Sequence, residues 1–246
     1  MHYQEYHPTK ALSPYIETYW ITNDFRGEGE FYKVLPDGCV DIVVSFDRAK
    51  SAVYASIVGT MTSFLEVSYP QTAQVFGIRF KPGGITAFTR IPINEFTDRN
   101  VELAMVDTLF DKSFYEALPE KKSAKEIVTH TNHYLINRLP HLYRSEQQIV
   151  RAVDLMYLAK GRLSPAKVAS EVCLCQRHFE RKFKSAIGIS PKAFANVLRF
   201  KQALRCLRKQ PHQDLLSVAV ECGYYDHTHL IKEFRAFAGN TPTALR

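Results

Sequence analysis

Val40, Ile42, Val44 and Phe46 alternate with Asp41, Val43 and Ser45, the period-two pattern of a strand with one buried face. Pro36-Asp37-Gly38 leads into it as a turn, because proline fixes φ and glycine accepts positive φ. Similar runs predict strands over residues 15–22, 31–35, 52–60 and 72–80, the last broken by Lys81-Pro82-Gly83-Gly84. Several short strands divided by turns imply a barrel- or sandwich-like β-rich domain over residues 1–100. Beyond it the spacing becomes helical. Apolar residues at helix intervals over 101–110 and 122–138 predict a connector across 101–143, interrupted at Leu139-Pro140-His141 because a helix normally ends before a proline. From Ser145 onward the pattern predicts seven helices of about 8 to 20 residues, an all-α domain over 144–246. The fold class is therefore α+β.

The helical region contains a repeat. Arg181, Phe183, Lys184, Gly188, Ser190 and Pro191 recur 51 positions later as Lys232, Phe234, Arg235, Gly239, Thr241 and Pro242. Ala169 and Glu171 recur at an offset of 50 as Ala219 and Glu221. Each copy reads as helix, tight turn, helix. In the first, Ser164 caps and Pro165 takes the first helical position. Ala166, Val168, Ala169 and Val172 make a small apolar face, and Phe179, Phe183 and Ile187 give the next helix a core stripe. Arg177, Glu180, Arg181 and Lys184 fall on its other face. In the second copy Asp214 and Asp226 cap, Gly223 turns, and Leu230, Phe234 and Phe237 face inward. His227, Thr228, Lys232 and Arg235 face outward. The intervening helix, with Val197, Phe200, Ala203, Leu204 and Leu207 as its buried stripe, is long enough to join two such modules. Its Arg199, Lys201, Arg205 and Arg208 read either as charge near a DNA backbone or as a plain solvated face.

Charge sharpens this picture. The 246-residue chain carries a formal +7, but residues 1–139 hold 14 Lys and Arg against 17 Asp and Glu, a net of −3. Residues 140–246 hold 18 against 8, a net of +10. A basic half of this kind expects a polyanion. Outward side chains near the start of the second helix of a helix-turn-helix reach base edges. Arginine pairs with guanine through two hydrogen bonds, and glutamate accepts from the cytosine amino group. Lys184 and Arg235, further along, suit phosphates. Glu180 between Arg177 and Arg181 fits base discrimination better than simple phosphate attraction.

Other classes of function find little support. No run approaches 18 apolar residues, so no membrane-spanning helix is expected. The start, MHYQEYHPTK, lacks the apolar core of a secretory signal, and five cysteines form no regular framework, so a reducing cytoplasm is expected. Residues 1–129 hold only His2 and His7 as histidines, and no nucleophile elbow, phosphate loop or dinucleotide fingerprint occurs. No enzyme activity, metal or cofactor is expected. His130 and His133 read as surface or linker residues, and Cys173 and Cys175 as buried, inert thiols.

The run from Gly223 through Tyr224, Tyr225, Asp226, His227, Thr228, His229, Leu230, Ile231, Lys232 and Glu233 to Phe234, continued by Gly239-Asn240-Thr241-Pro242, resembles the second-module signature of the AraC/XylS transcription regulators. Arg181, Phe183, Lys184, Gly188, Ser190 and Pro191 resemble the first module, so the likeness covers about residues 145–246. It implies two helix-turn-helix modules reading two successive major grooves of double-stranded DNA. It implies base contacts by Arg177, Glu180 and Arg181 in the first module and by His227, Thr228 and Lys232 in the second. Cys173 and Cys175 depart from the family, which usually has Gly at that turn and Ser at that cap. A left-handed non-glycine residue costs about 1 kcal/mol, and a lost oxygen cap about as much again. The segments 35–41 and 76–84 resemble the sensor domain of a subgroup of the family, implying a β-barrel-like module for effector binding or dimerisation.

Within that N-terminal domain Asp37, Cys39, Asp41 and Arg79 are the candidate effector contacts, because an arginine fork suits an anionic ligand. The alternative is structural: Asp37 and Gly38 shape a turn while Asp41 and Arg79 pair. The expectation is a cytoplasmic sequence-specific regulator. Its partners would be DNA, a small-molecule effector, a second copy of the chain and, if it activates as is common in the family, RNA polymerase. An architectural DNA-binding protein and an N-terminal enzyme fused to a DNA-binding domain are the alternatives.

Overall fold

The structure, a computed structural model, describes residues 2–23, 25, 30–47, 52–106, 110–144 and 146–246. The chain forms two compact units: Met1–Tyr32, Cys39–Gly59 and Val67–Ser145 make unit 1, and Lys33–Gly38, Thr60–Glu66 and Glu146–Arg246 make unit 2. Residues 101–143 thus lie inside unit 1.

The strands are β1 (His2–Tyr6), β2 (Ile16–Asn23), β3 (Tyr32–Val34), β4 (Val40–Asp47), β5 (Ala52–Val58), β6 (Leu65–Val67), β7 (Ala73–Phe80) and β8 (Asn100–Glu102). Six form one antiparallel sheet in the order β1-β2-β7-β4-β5-β8, and β3 pairs with β6 in a separate ribbon. The alternation in β4 sorts its residues as the sequence predicts. Ile42, Val44 and Phe46 are 0–1% exposed and join Phe76, Ile78, Phe80, Phe88 and Phe114 in the main core of unit 1. Val43 turns to the opposite face, where it meets Phe25, Ala73 and Val75. Among the described residues two α-helices, α1 (Lys112–Glu116) and α2 (Ala124–Ile136), complete the unit. Ser123 caps α2 by accepting from the Glu126 amide, and the Glu126 carboxylate reaches back to the Lys122 amide, a reciprocal box that starts the helix.

The helix expected over 101–110 is not there. Val101 belongs to β8 at the edge of β5, Leu103–Met105 is a single 3-10 turn, and 107–109 lie outside the described residues. Edge pairing holds Val101 in a strand instead of a helix, a non-local contact that local spacing does not report. Leu139–His141 is likewise a 3-10 turn.

Among the described residues unit 2 has six α-helices, not seven: α3 (Gln147–Leu158), α4 (Pro165–Glu171), α5 (Gln176–Ile187), α6 (Pro191–Lys209), α7 (Leu215–Glu221) and α8 (His227–Ala238). A 3-10 turn, Pro242–Leu245, follows them. α4 and α7 have seven residues each, shorter than expected, because a cap opens each and a tight turn closes it. Phe179, Phe183, Phe194, Phe200 and Phe234 are fully buried in one core. Ala166, expected inward, is exposed at the first turn of α4. The short segments from residues 33–38 and 60–66 share this core: Leu35 packs on it, and Gly38 leaves room for the Phe194 ring, which a Cβ there would meet at 2.6 Å.

Candidate nucleic-acid interface

α4 with α5, and α7 with α8, form two helix-turn-helix modules joined by α6. The first turn passes through Cys173 at φ 56, a left-handed conformation on a residue that disfavours it. Cys175 stands at the N-cap of α5 with no side-chain cap bond. Both thiols are exposed, which corrects the expectation of burial. The turn lifts them out of the core because Val172 and Leu174 take the inward positions. The second module is better terminated. Asp214 accepts from the Leu216 and Ser217 amides at 2.9 and 3.0 Å, and hydrogen bonds led by the Ser217 hydroxyl hold its carboxyl below the ordinary aspartate value. Gly223 turns at φ 80, and Asp226 caps α8 by accepting from the His229 amide at 2.7 Å.

With Phe179, Phe183 and Ile187 packed inward, α5 presents Arg177, Glu180, Arg181 and Lys184, all exposed. Glu180 accepts from the Gln176 amide nitrogen at 2.9 Å, and Arg181 lies 3.1 Å from His178 Nδ1. α8 buries Leu230, Phe234 and Phe237 and exposes His227, Thr228, Lys232 and Arg235. The structure therefore gathers each expected reading set on one helix face.

Sequence reasoning missed what lies behind α8. Glu233, with an 11% exposed side chain, faces Arg199 of α6 and His229 of its own helix, each at 3.7 Å. Arg199 also donates to Asn196 at 2.8 Å and lies 5.3 Å from the Tyr224 ring centre. Arg199 is thus an internal tie. Lys201 is also engaged, donating to the Asp37 backbone carbonyl at 3.3 Å, whereas Arg205 and Arg208 are exposed. An acidic residue between Lys232 and Phe234 was the available signal for this network. Burial raises the Glu233 carboxyl above its ordinary value, against the opposing pull of Arg199. The folded chain therefore takes up this proton at higher pH than the unfolded chain. The contribution to stability is full below the ordinary glutamate value and is lost as pH rises through the folded one. Comparing denaturation midpoints of the wild type and Glu233→Gln across the acid range should show this component in the wild type alone.

The candidate effector residues do not form one cluster. Asp41 and Arg79 sit opposite each other on β4 and β7 and share two hydrogen bonds of 3.2 and 3.1 Å. The buried Cys39 thiol donates to Glu17 at 3.2 Å. Asp37 belongs to unit 2. A cavity of about 420 Å³ in unit 1 lies elsewhere, lined by Gln4, Asn23, Gln74, Lys122 and Ser123 among others. Among the described residues no cluster of three or more His, Cys, Asp or Glu side chains suits a metal, and no helix is long and apolar enough to cross a membrane. His130 stacks on Phe114 with ring centres 5.9 Å apart.

A family model described as a helix-turn-helix domain matches residues 168–246, and one described as a domain of unknown function (DUF6597) matches residues 4–102. The HTH-type transcriptional regulator MtrA of Neisseria gonorrhoeae is 33% identical over 69 residues, 28% of this chain and 23% of that protein. The HTH-type transcriptional activator RhaS of Pectobacterium atrosepticum is 30% identical over 79 residues, 32% of this chain and 28% of that protein. The matched segments thus span about a quarter of these relatives' length. A solved transcriptional regulator of the AraC-type DNA-binding class from Chromobacterium violaceum is 27% identical, with 40% of this chain and 88% of that chain covered and a TM-score of 0.38. The two modules and their outward basic faces, together with the family model, show that residues 168–246 carry a helix-turn-helix domain similar to those of HTH-type transcriptional regulators.

Proposed function

We propose that this chain recognises a specific site on double-stranded DNA by placing α5 and α8 in two successive major grooves. Arg177, Glu180 and Arg181 read bases in one groove, and His227, Thr228 and Lys232 in the other, while Lys184 and Arg235 contact phosphates. The observation that carries this reading is the exposed mixed-sign face of α5, repeated in position by the exposed face of α8. α6 has 19 residues, about 28 Å of helix, of the same order as the roughly 34 Å of one DNA turn. An architectural DNA binder would gain nothing from a carboxylate at position 180. In this reading unit 1 supplies control, through a small-molecule effector or by pairing two copies of the chain. Activation would add a contact with RNA polymerase.

Selection from random duplexes at near-physiological salt tests it. The expected motif has two blocks about one helical turn apart. Arg181→Ala should lose about 1–3 kcal/mol of binding and relax base choice at one position, while Lys184→Ala should weaken all sequences alike and flatten the salt dependence. Recovery of the unchanged motif by Arg181→Ala would remove that residue from the reading set.

A further inference from the structure

Both reading helices end in the same way, and residues far away in the sequence hold both ends. α5 stops at Ile187 before Gly188 at φ 98, and α8 stops at Ala238 before Gly239 at φ 68. The last carbonyls of a helix have no partner within it. The hydroxyl of Thr60, a fully buried residue, donates to the Ile187 carbonyl. Lys33 Nζ donates to the Ala238 carbonyl at 3.4 Å, where a cation also favours the negative end of the helix. The same ammonium sits 4.5 Å from the centre of the Phe64 ring, and that ring closes over Gly239, where a Cβ would meet it at 2.7 Å.

The segments that carry these groups are tied to each other and to α6. β3 pairs with β6, and Lys33 lies 4.0 Å from Glu66. Asp37 accepts from Lys201, and Gly38 seats the Phe194 ring, both on α6. Unit 2 therefore has a second connection between its reading helices besides α6. It grips them at the ends opposite the base-reading residues. One base pair advances the duplex by about 3.4 Å and turns it by about a tenth of a turn, so a small swing of either helix changes which spacing fits.

We propose that Thr60, Lys33 and Phe64 are positioning residues for DNA recognition, which fix the separation of the two reading faces and so select the spacing between the two halves of the site. The inference rests on the two-groove reading above. The test uses the full chain and duplexes carrying the two selected blocks with one or two base pairs inserted or removed between them. Single-block duplexes serve as the reference. Wild type should prefer one spacing about tenfold over its neighbours. Thr60→Val and the double variant Lys33→Met/Phe64→Ala should lose about fivefold to tenfold at that spacing and bind the neighbouring spacings nearly as well. Single-block affinity should stay at the wild-type level, and Thr60→Ser should restore the preference. Merely weakened folding would depress every duplex alike, single blocks included, and that result overturns the proposal. So does a wild-type spacing preference in variants that fold, and the surface double variant keeps this outcome accessible if Thr60→Val fails to fold. A wild type that binds the selected blocks with no preferred spacing refutes the positioning role. A wild type that yields no two-block motif refutes the two-groove reading itself, and the inference falls with it.

Discussion

Phe200→Ala should destabilise unit 2 by about 3–5 kcal/mol, the range for removing a buried aromatic ring. Phe200 is fully buried on α6, with its ring centre 4.9 Å from that of Phe234 and 5.2 Å from that of Phe237, both on α8. Alanine leaves a void against two aromatic rings whose helix has only limited freedom to collapse inward, since Glu233 and Arg199 tie it elsewhere. A loss of this size is a large part of the roughly 5–15 kcal/mol that holds an ordinary domain together. Denaturant unfolding should show a lower midpoint, and DNA binding should fail at lower temperature than in the wild type. Arg181→Ala should do the reverse, weakening binding while leaving the midpoint in place. A Phe200→Ala loss below about 1 kcal/mol would contradict the packing described.

Gly59→Ala is the second large effect, here in unit 1. A Cβ at Gly59 would lie 1.8 Å from the Phe96 carbonyl oxygen and 2.3 Å from its carbon. These are backbone atoms, so no side-chain rotation relieves the clash. The chain is also tied at this point, because the Gly59 amide donates to the Arg99 carbonyl at 3.0 Å. Alanine must push the two segments apart, and a loss of about 3 kcal/mol is expected. Thermal unfolding of the variant checks this, and an unchanged midpoint would mean that the segment around Phe96 yields far more easily than its hydrogen bonds suggest.

The parts of this fold that were legible in the sequence are those specified locally. Ser164-Pro165, Asp214 and Asp226 start helices through bonds to residues two or three positions away, and a reader of the sequence can see both partners at once. The alternation in β4 is legible because one face of that strand is buried and the residues of the other include Asp41 and Ser45. β1 escaped notice for the opposite reason. His2-Tyr3-Gln4-Glu5-Tyr6 is an edge strand with almost every residue exposed, so burial never imposed a pattern on it. β6 and β8 have three residues each, too few to show a period. The exposure of the α5 and α8 residues proposed to read bases followed from helical spacing. The buried pairing of Arg199 with Glu233 did not, because it depends on how α8 is rotated against α6. The separation of Asp37 from Asp41 and Arg79 was also hidden: four residues apart in sequence, Asp37 and Asp41 fall in different units. Thr60 and Lys33 were beyond reach, since their helix-end partners lie 127 and 205 positions away.

Those separations have a consequence for how the molecule is made. A ribosome adding about 5–20 residues per second releases Thr60 about 6–25 seconds, and Lys33 about 10–40 seconds, before the helix ends they hold. Throughout that interval the Thr60 hydroxyl and the Phe64 ring have no carbonyl or glycine to meet. The helices emerge later, in the order α5, α6, α8; the starts of α6 and α8 carry their own caps at Ser190 and Asp226, while the ends of α5 and α8 depend on the earlier segment. The arrangement proposed to read DNA is completed only when the last residues of α8 come free and meet a segment synthesised long before. The two grips therefore become available at different times, the one at Ile187 first and the one at Ala238 and Gly239 last, and a nascent chain stalled before Gly239 would lack the second.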